Sequence, residues 1–192
     1  AKKIGAVNTI AFNDGVLTGY NTDYHGFGEA LKKNEISISN KNAVILGCGG
    51  ASKAVVQYLI DNKINDITYV SRQPENVAKY IKSFEVISYN DMRDMVNKDI
   101  IVNCTPSGMY PNIEHSPVKK DILSKFSVAV DLIYNPQETL FLKQSRELGL
   151  KTENGLYMLV AQAIAAQEIW QGIKISKESV DEIYSELRKN FV

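Results

Sequence analysis

A glycine-rich turn between two apolar segments is the part of this sequence whose residue types best suit chemistry. An apolar strand is expected at 43–46, the turn reads Gly47-Cys48-Gly49-Gly50-Ala51, and an apolar helix follows from Ser52. Glycine lets the backbone come close to a pyrophosphate, and the N–H groups of the first helical turn attract an anion. The pattern predicts a nucleotide diphosphate site. Similar turns also join strands to helices without binding anything, and Ser52 stands where the motif more often has glycine or alanine.

A second polar pair follows the next expected strand, at 67–71. Ser71 and Arg72 lie roughly 20 residues past the glycines, where such domains place the side chain that reads the adenosine ribose. An acidic residue there would indicate NAD. Arg72 instead indicates the 2'-phosphate of NADP, because a guanidinium group pairs well with phosphate.

The elements that must position these residues alternate along the chain. We expect strands at 43–46, 67–71, 85–88, 100–103 and 128–132, and helices at 52–61, 75–82, 92–96 and 140–148. Strands separated by helices predict an α/β fold, a Rossmann-like doubly wound parallel sheet with helices on both faces. Ligands bind at the carboxyl ends of such strands, which is where 103–105 and 131–134 also fall.

The two ends of the chain have a different pattern. Strands at 6–12 and 16–20 flank Asp14-Gly15, which predicts a β-hairpin. The segment 156–171 is apolar almost all round, so we expect a helix that is buried on most sides and ends at Gly172. Gln162 lies within it, and its amide must either bond within the core or face a ligand. Ser176 is the expected N-cap of a last amphipathic helix, 177–189.

Composition excludes several classes of protein. The chain has 192 residues, 44% of them hydrophobic and 23% charged, so an ordered core is expected. Its 22 basic residues balance 22 acidic ones, which gives no electrostatic argument for nucleic acid or a membrane surface as a partner. No apolar run approaches a membrane span, and the 2 cysteines have no zinc spacing. A cytoplasmic protein with no metal site is expected.

Seven motifs, taken in order along essentially the whole chain, resemble those of the shikimate dehydrogenase family. They are Gly5-Ala6-Val7-Asn8-Thr9, Gly19 to Phe27, Gly47 to Ala51, Ser71-Arg72, Asn103 to Met109, Asp131 to Pro136 and Asn154 to Gln162. The resemblance implies reversible reduction of 3-dehydroshikimate to shikimate by NADPH, a step on the route to chorismate and the aromatic amino acids.

The resemblance also implies roles for individual residues. Asn8, Asp23, Tyr134 and Gln162 match the residues that bind shikimate, and Asp23 is the catalytic candidate, working beside a lysine that helps to transfer the proton. Asp23 would also suit the N-cap of a helix that begins near Tyr24. The cofactor residues implied are Gly47, Cys48, Gly49, Gly50 and Ala51 for the pyrophosphate, Ser71, Arg72 and Gln73 for the 2'-phosphate, Thr105 and Leu132 for the cofactor channel, and Gly155 and Met158 for the nicotinamide end.

Two departures from the family pattern shape the expected activity. Ser71-Arg72-Gln73 stands where the family commonly has Asn-Arg-Thr, which alters the surroundings of the phosphate but keeps the arginine. The family's catalytic lysine and the serine pair that grips the substrate carboxylate lie on a segment before Ala1, and Lys2 and Lys3 do not replace them. We therefore expect a fragment that binds NADP without turning over shikimate.

This expectation divides the chain into three parts and leaves alternatives open. Residues 1–22 would be a remnant of the substrate domain, 23–155 the NADP-binding domain, and 156–192 the helices that return to the substrate domain. Apolar surface on the hairpin and last helix predicts a homodimer or other self-association. The alternatives are a quinate/shikimate dehydrogenase with relaxed cofactor use and a non-catalytic nucleotide-binding module, against which Asp23 and Gln162 argue.

Overall fold

The computed structural model describes residues 1–96 and 98–190. The chain opens with an antiparallel hairpin, β1 (Thr9–Asn13) and β2 (Val16–Tyr20). Asp14 and Gly15 turn the chain with φ angles of 50° and 80°. Two successive positive φ angles match the right-handed twist of the flanking strands, which is why an Asp-Gly pair favours this turn. The predicted hairpin is confirmed, although its first strand begins at Thr9.

A six-stranded parallel sheet forms the centre of the molecule, in the order β5-β4-β3-β6-β7-β8. The strands are β3 (Asn42–Leu46), β4 (Asp66–Ser71), β5 (Glu85–Ser88), β6 (Ile100–Asn103), β7 (Val128–Asp131) and β8 (Lys151–Glu153). The helices are α1 (Asp23–Lys33), α2 (Gly50–Asp61), α3 (Pro74–Val77), α4 (Lys120–Leu123), α5 (Leu140–Glu147), α6 (Leu156–Gln171) and α7 (Lys177–Asn190), with a 3-10 turn over Asp91–Asp94. The predicted fold class is confirmed.

Helices cover both faces of the sheet, and β3 illustrates why. Ile45 packs into a core with α1, α2 and α6, whereas Val44 and Leu46 pack into a second core with α4 and α5. Alternate residues of a strand point to opposite faces, so a strand that is apolar at every position must be covered on both sides. Burying each such side chain contributes roughly 1.5–3 kcal/mol.

The strand order creates a crevice at the carboxyl ends of β3 and β6. From β3 the chain moves outward to β4 and β5, then returns to place β6 on the other side of β3. Connections after β3 and β6 therefore diverge to opposite faces of the sheet. Open α/β sheets bind ligands at such a switch point.

Two elements were not predicted, and two predicted helices differ from the structure. Neither β8 nor α4 was expected, since the first is a three-residue edge strand and the second a single helical turn. The helix expected at 75–82 is limited to α3, none of whose residues is buried, so packing does not extend it beyond Val77. The helix expected at 92–96 is the 3-10 turn, and Val96 is 71% exposed.

The helix α6 is less buried than its apolar sequence predicts. Leu156 and Tyr157 in its first turn are 0% and 2% exposed, but Trp170 near its end is 53% exposed. The first half of α6 packs against the sheet and α1. Its second half extends toward β1, where Trp170 Nε1 donates to Ile10 O at 2.9 Å. Across residues 1–96 and 98–190, no helix is both long and apolar enough to cross a membrane.

Candidate active site

A large cleft of about 1530 Å³ lies at the carboxyl edge of the sheet. The connections that follow β3, β4, β5 and β6 form its walls. Seven of the residues expected to bind a cofactor line it, namely Gly47, Cys48, Gly49, Ser71, Arg72, Gln73 and Thr105. Three separate segments of the sequence therefore meet in one cleft, as the positions of the strand ends predict.

The glycine turn has the geometry that an anion site needs. Gly47 has a φ of +89°, and a Cβ there would lie 2.9 Å from Thr105 Cγ2, so a larger residue would be strained and crowded. A Cβ on Gly49 or Gly50 would meet no other atom within 4 Å, which leaves room beside the backbone. Gly49 is the N-cap of α2 and offers no side-chain cap, so the first-turn N–H groups remain for an anion.

Ser52 holds the glycine turn from within. Its hydroxyl is buried and donates to Gly49 O at 2.7 Å, bridging the first turn of α2 back to its N-cap. The serine that departs from the usual motif therefore has a partner in the turn itself and does not open the loop.

Arg72 projects from the end of β4 into the cleft. Ser71 Oγ accepts from the backbone N–H of Gln73 at 3.1 Å and so fixes the turn that carries Arg72. Within residues 1–96 and 98–190, the Arg72 guanidinium has no hydrogen bond or ion pair to another side chain. Tyr89 lies close enough for Arg72 to oppose the rise that burial causes in the pKa of its phenol.

A buried polar network lies directly behind the cleft. The Asp131 carboxylate is 0% exposed and accepts from Asn103 Nδ2 at 3.0 Å, Thr139 Oγ1 at 2.7 Å and Ile133 N at 3.1 Å. Asn103 Oδ1 in turn accepts from Thr105 N at 3.0 Å and Thr105 Oγ1 at 2.6 Å. Burial raises the pKa of Asp131 to about 7 even though the three hydrogen bonds favour its ionised form. The network links β6, β7 and the start of α5 to Thr105, the residue that faces Gly47.

Sequence reasoning placed Asn103, Thr105 and Asp131 at this edge of the sheet but missed Thr139. Thr139 is the N-cap of α5, and its hydroxyl also accepts from Leu142 N at 3.3 Å. A threonine directly before an apolar helix is an N-cap signal that the sequence does contain. Its bond to Asp131 depends on tertiary packing.

A second cluster gathers three of the four residues expected to bind substrate. Asn8 Nδ2 donates to Asp23 Oδ1 at 2.8 Å and to Thr22 Oγ1 at 3.1 Å, while Asn8 Oδ1 accepts from Thr22 N at 2.8 Å. Thr22 Oγ1 donates to Gln162 Oε1 at 3.3 Å. The pKa of Asp23 is raised by burial, which outweighs the opposing hydrogen bond from Asn8. Thr22 was given no role from the sequence, although it lies within the motif Gly19 to Phe27.

Close packing of α1 on α6 brings this cluster together. A Cβ on Gly26 would lie 2.6 Å from Met158 O, so only glycine lets the two helices approach this closely. Gln162 is partly buried, and its Nε2 donates to Leu159 O at 3.0 Å. Its amide therefore lies at the rim of the core beside Thr22.

The structure excludes the alternative interpretation of Asp23 as the N-cap of α1. Helix α1 begins at Asp23, its N-cap is Thr22, and the N–H of Tyr24 is accepted by Asn21 Oδ1 at 3.2 Å. Asp23 is thus the first helical residue, and its carboxylate bonds to Asn8. A capping role does not account for it.

The remaining expected site residues lie outside the lining of the cleft. They are Gly50, Ala51, Leu132, Tyr134, Gly155 and Met158. Gly155 packs against the segment directly after β7, since a Cβ there would lie 2.0 Å from Leu132 O. Met158 is 8% exposed within the core, and Tyr134 is 38% exposed after β7. Contacts of these residues with a ligand stay predictions.

Comparison with known proteins gives matches along the whole chain. A sequence model of the family described as "Shikimate / quinate 5-dehydrogenase" matches residues 29–136. The shikimate dehydrogenase (NADP(+)) of Clostridium perfringens is 46% identical over 193 residues, which cover 100% of this chain and 71% of that protein.

Solved structures share the same fold. A chorismate mutase/shikimate 5-dehydrogenase fusion protein from Clostridium acetobutylicum is 52% identical with a TM-score of 0.96, covering 100% of this chain and 70% of the other. Shikimate 5-dehydrogenase from Thermus thermophilus, crystallised with NADP(H) and shikimate, is 31% identical with a TM-score of 0.81, covering 96% of this chain and 69% of the other.

Proposed function

This chain belongs to the shikimate/quinate 5-dehydrogenase family of enzymes, and from that premise we propose that it binds NADP in the cleft at the carboxyl edge of its sheet. The observation that carries the proposal is the meeting of the glycine turn and Arg72 in one cleft. Relatives that match this whole chain are named as NADP(+) enzymes, and another relative, which covers 96% of it, was crystallised with NADP(H).

The residues of the cleft fit the cofactor in charge and shape. The uncapped first turn of α2 suits the pyrophosphate, with Gly47, Cys48, Gly49, Gly50 and Ala51 around it. Arg72, with Ser71 and Gln73 beside it, suits the 2'-phosphate. Thr105, Leu132, Gly155 and Met158 complete the proposed set toward the nicotinamide. When bound, the cofactor supplies or accepts the hydride of the reaction.

The second cluster is proposed to hold shikimate or 3-dehydroshikimate. Asn8, Asp23, Tyr134 and Gln162 offer the carboxylate, amides and phenol that a polyhydroxylated ring requires. Asp23 is proposed to accept a hydrogen bond from a substrate hydroxyl and to take part in moving its proton, which suits a partly buried carboxyl with a raised pKa. In this assignment, 23–155 is the NADP-binding domain and also contributes Asp23 and Tyr134 to the substrate. The segments 1–22 and 156–192 belong to the substrate part, and Met158 reaches the cofactor from the second of them.

Turnover by this chain is proposed to be negligible. A carboxylate that moves a proton in this reaction needs a partner that stays charged and oriented, and the family resemblance implies a lysine. Within residues 1–96 and 98–190, the side-chain partner of Asp23 is Asn8, and no lysine pairs with it. Binding of NADP and catalysis are therefore separable properties of the chain.

Calorimetric titration of the purified 192-residue chain with NADP and NAD tests the proposal. We expect NADP to bind more tightly than NAD. We expect Arg72→Ala to weaken NADP binding by about 1.5–3 kcal/mol, as for loss of a hydrogen bond to a charged group, and to leave NAD binding unchanged. Arg188→Ala, which removes the same charge from exposed α7, is the matched control. The same preparation should show no NADP-linked oxidation of shikimate.

Two results would overturn parts of this proposal. A folded chain, verified by a cooperative thermal melt, that binds neither nucleotide would exclude the cleft as a cofactor site. Robust shikimate oxidation would show that Asp23 works without the implied lysine.

A quinate-using activity with relaxed cofactor choice is the second candidate, because the matching family is described for both substrates. Equal affinity for NAD and NADP in the same titration would favour it. The cluster of Asn8, Thr22, Asp23 and Gln162 speaks against a module that only binds a nucleotide, since these four polar groups meet at a place distinct from the cleft lining.

A further inference from the structure

The charge of the cleft differs from that of the chain as a whole. The whole chain has 22 basic and 22 acidic residues. In the part of the cleft that the structure describes, the cationic side chains are Arg72, Arg93 and Lys119, against the single carboxylate of Asp121. The cleft therefore has an excess of positive charge, although the chain as a whole has none. Arg72 has a proposed phosphate partner, whereas Arg93 has no role in the function proposed above.

Arg93 lies on the 3-10 turn that follows β5, the strand next to β4, which Arg72 follows. In the parallel pairing of β4 with β5, Ser71 lies opposite Ser88. Arg72 directly follows the first of these residues, and the 3-10 turn that carries Arg93 begins three residues after the second, at Asp91. Both arginines line the same cleft beyond neighbouring strand ends.

The turn that carries Arg93 is fixed from one side by the end of β5. Asp91 Oδ2 accepts from Ser88 N at 3.0 Å and from Ser88 Oγ at 2.7 Å, and these bonds lower the pKa of the Asp91 carboxyl. Met92 is 0% exposed and anchors the turn in the core beneath the cleft.

Lys125 fixes the same turn from the other side. Its Nζ donates to the backbone carbonyl of Arg93 and to Met95 O, the latter at 3.1 Å. The backbone of Arg93 is thus held at several points, while its side chain is exposed. In residues 1–96 and 98–190 the guanidinium makes no ion pair, even with neighbouring Asp94. An arginine on a fixed turn, pointing at no protein carboxylate, is available to an anionic ligand.

We propose that Arg93 is a second cation for the 2'-phosphate of the bound cofactor, acting with Arg72 to select NADP over NAD. The proposal rests on the proposed function, because it requires NADP in the cleft. A phosphate monoester carries a charge of about −1.5 to −2 at neutral pH, so it can engage more than one guanidinium group. The planar fork of arginine matches phosphate oxygens better than a lysine ammonium does.

Titration with adenosine 2',5'-bisphosphate and with AMP isolates the group in question, because the two probes differ only in the 2'-phosphate. NADP and NAD are titrated in parallel. We expect Arg93→Ala to weaken binding of the bisphosphate and of NADP about 10-fold, in line with loss of a charged hydrogen bond at an exposed site. The affinities for AMP and NAD should be unchanged. Arg93→Lys should recover part of the loss, and Arg188→Ala should change none of the four affinities.

Each outcome bears on a different claim. If the wild-type chain binds NADP tightly but Arg93→Ala binds it equally well, the inference fails and the proposed function stands. Equal weakening of NADP and NAD would also overturn it, since Arg93 would then act on a part that both nucleotides share. Failure of the folded wild-type chain to bind any of the four would overturn the proposed function and this inference together.

Discussion

Glu153 and Asp131 are buried carboxyl groups whose protonation is coupled to folding. Glu153 is 6% exposed on the edge strand β8 and accepts a hydrogen bond from Asn34 Nδ2. Burial raises its pKa from 4.5 to about 7, against the smaller effects of Asn34 and Lys33. Asp131 has a pKa raised to about 7 for the same main reason. Both groups bind protons more tightly in the folded chain than in the unfolded one. Their contribution therefore lowers the free energy of unfolding as pH rises from about 4 to 7.

Replacing Glu153 by glutamine tests this coupling at one residue. Glutamine keeps an oxygen that can accept from Asn34 but cannot ionise. Glu153→Gln should therefore gain stability relative to wild type as pH rises from about 4.5 to 7, by about 3 kcal/mol at most for a shift of this size. Urea unfolding of both proteins at pH 4.5 and pH 8 measures the change.

Glu182→Gln, at an exposed position of α7, is the control for the loss of one carboxylate. It should follow wild type at both pH values. A constant difference between Glu153→Gln and wild type across the pH range would mean that Glu153 ionises alike in the folded and unfolded chain, which would contradict the prediction.

The contact between α1 and α6 is the element-level feature on which the Asn8 cluster depends. A Cβ on Gly26 would lie 2.6 Å from Met158 O and 3.1 Å from Gln162 N. Alanine favours a helix by roughly 1 kcal/mol over glycine, so Gly26→Ala would stabilise α1 if the neighbouring helix were absent. Here the backbone clash dominates, and we expect a net loss of about 1–3 kcal/mol. A lowered midpoint in chemical unfolding would measure it.

His25→Ala is the matched control, because His25 precedes Gly26 on the same helix but is exposed. It should change stability by less than about 0.5 kcal/mol. If Gly26→Ala were as stable as wild type, α1 and α6 would have room to separate, and their close approach would not be needed to place Gln162 beside Thr22.

The elements that the sequence predicts well are those with enough apolar residues to specify their own burial. The strand β3 is apolar at four successive positions, and its place in a two-sided sheet follows from that run. In contrast, β8 is Lys-Thr-Glu, and pairing with β7 makes it a strand. Helix α3 shows the reverse case, in which a helical sequence is not extended because no residue of it is buried.

The same distinction applies to the candidate site. Strand ends alone place the glycine turn, Arg72 and Thr105 at one edge, because parallel strands finish together. The contacts of Thr139 with Asp131 and of Thr22 with Gln162 join residues from different elements. Neither spacing nor periodicity specifies such pairs. Arg93 escaped notice for a related reason, since a 3-10 turn has no periodic signal in the sequence.

The molecule as a whole exposes apolar surface on the hairpin. Phe12 and Leu17 are directly paired across its strands and are 67% and 71% exposed, and Ile10 and Val16 nearby are 60% and 61% exposed. A two-stranded hairpin has little stability unless its apolar face is covered. We propose that a second copy of this chain covers it in the purified protein.

Sedimentation velocity over a range of concentrations tests this proposal. The sedimentation coefficient of the wild-type chain should rise with concentration, and replacing both Phe12 and Leu17 by threonine should abolish the rise while keeping strand propensity. Tyr80→Ser, which removes an 88% exposed aromatic residue between α3 and β5, should leave the rise of the sedimentation coefficient with concentration unchanged. A monomer at all concentrations would exclude the hairpin as a self-association surface.

The hydrogen bond between Thr22 and Gln162 joins residues 140 positions apart, and this separation orders events during synthesis. Ribosomes release a chain from its N-terminus, and segments begin to fold as they emerge. The strands and turns that carry Gly47, Arg72, Arg93 and Thr105 leave the ribosome well before α6 does. The residues that line the nucleotide cleft therefore all emerge before Gln162, so the Asn8 cluster is the later of the two sites to be complete.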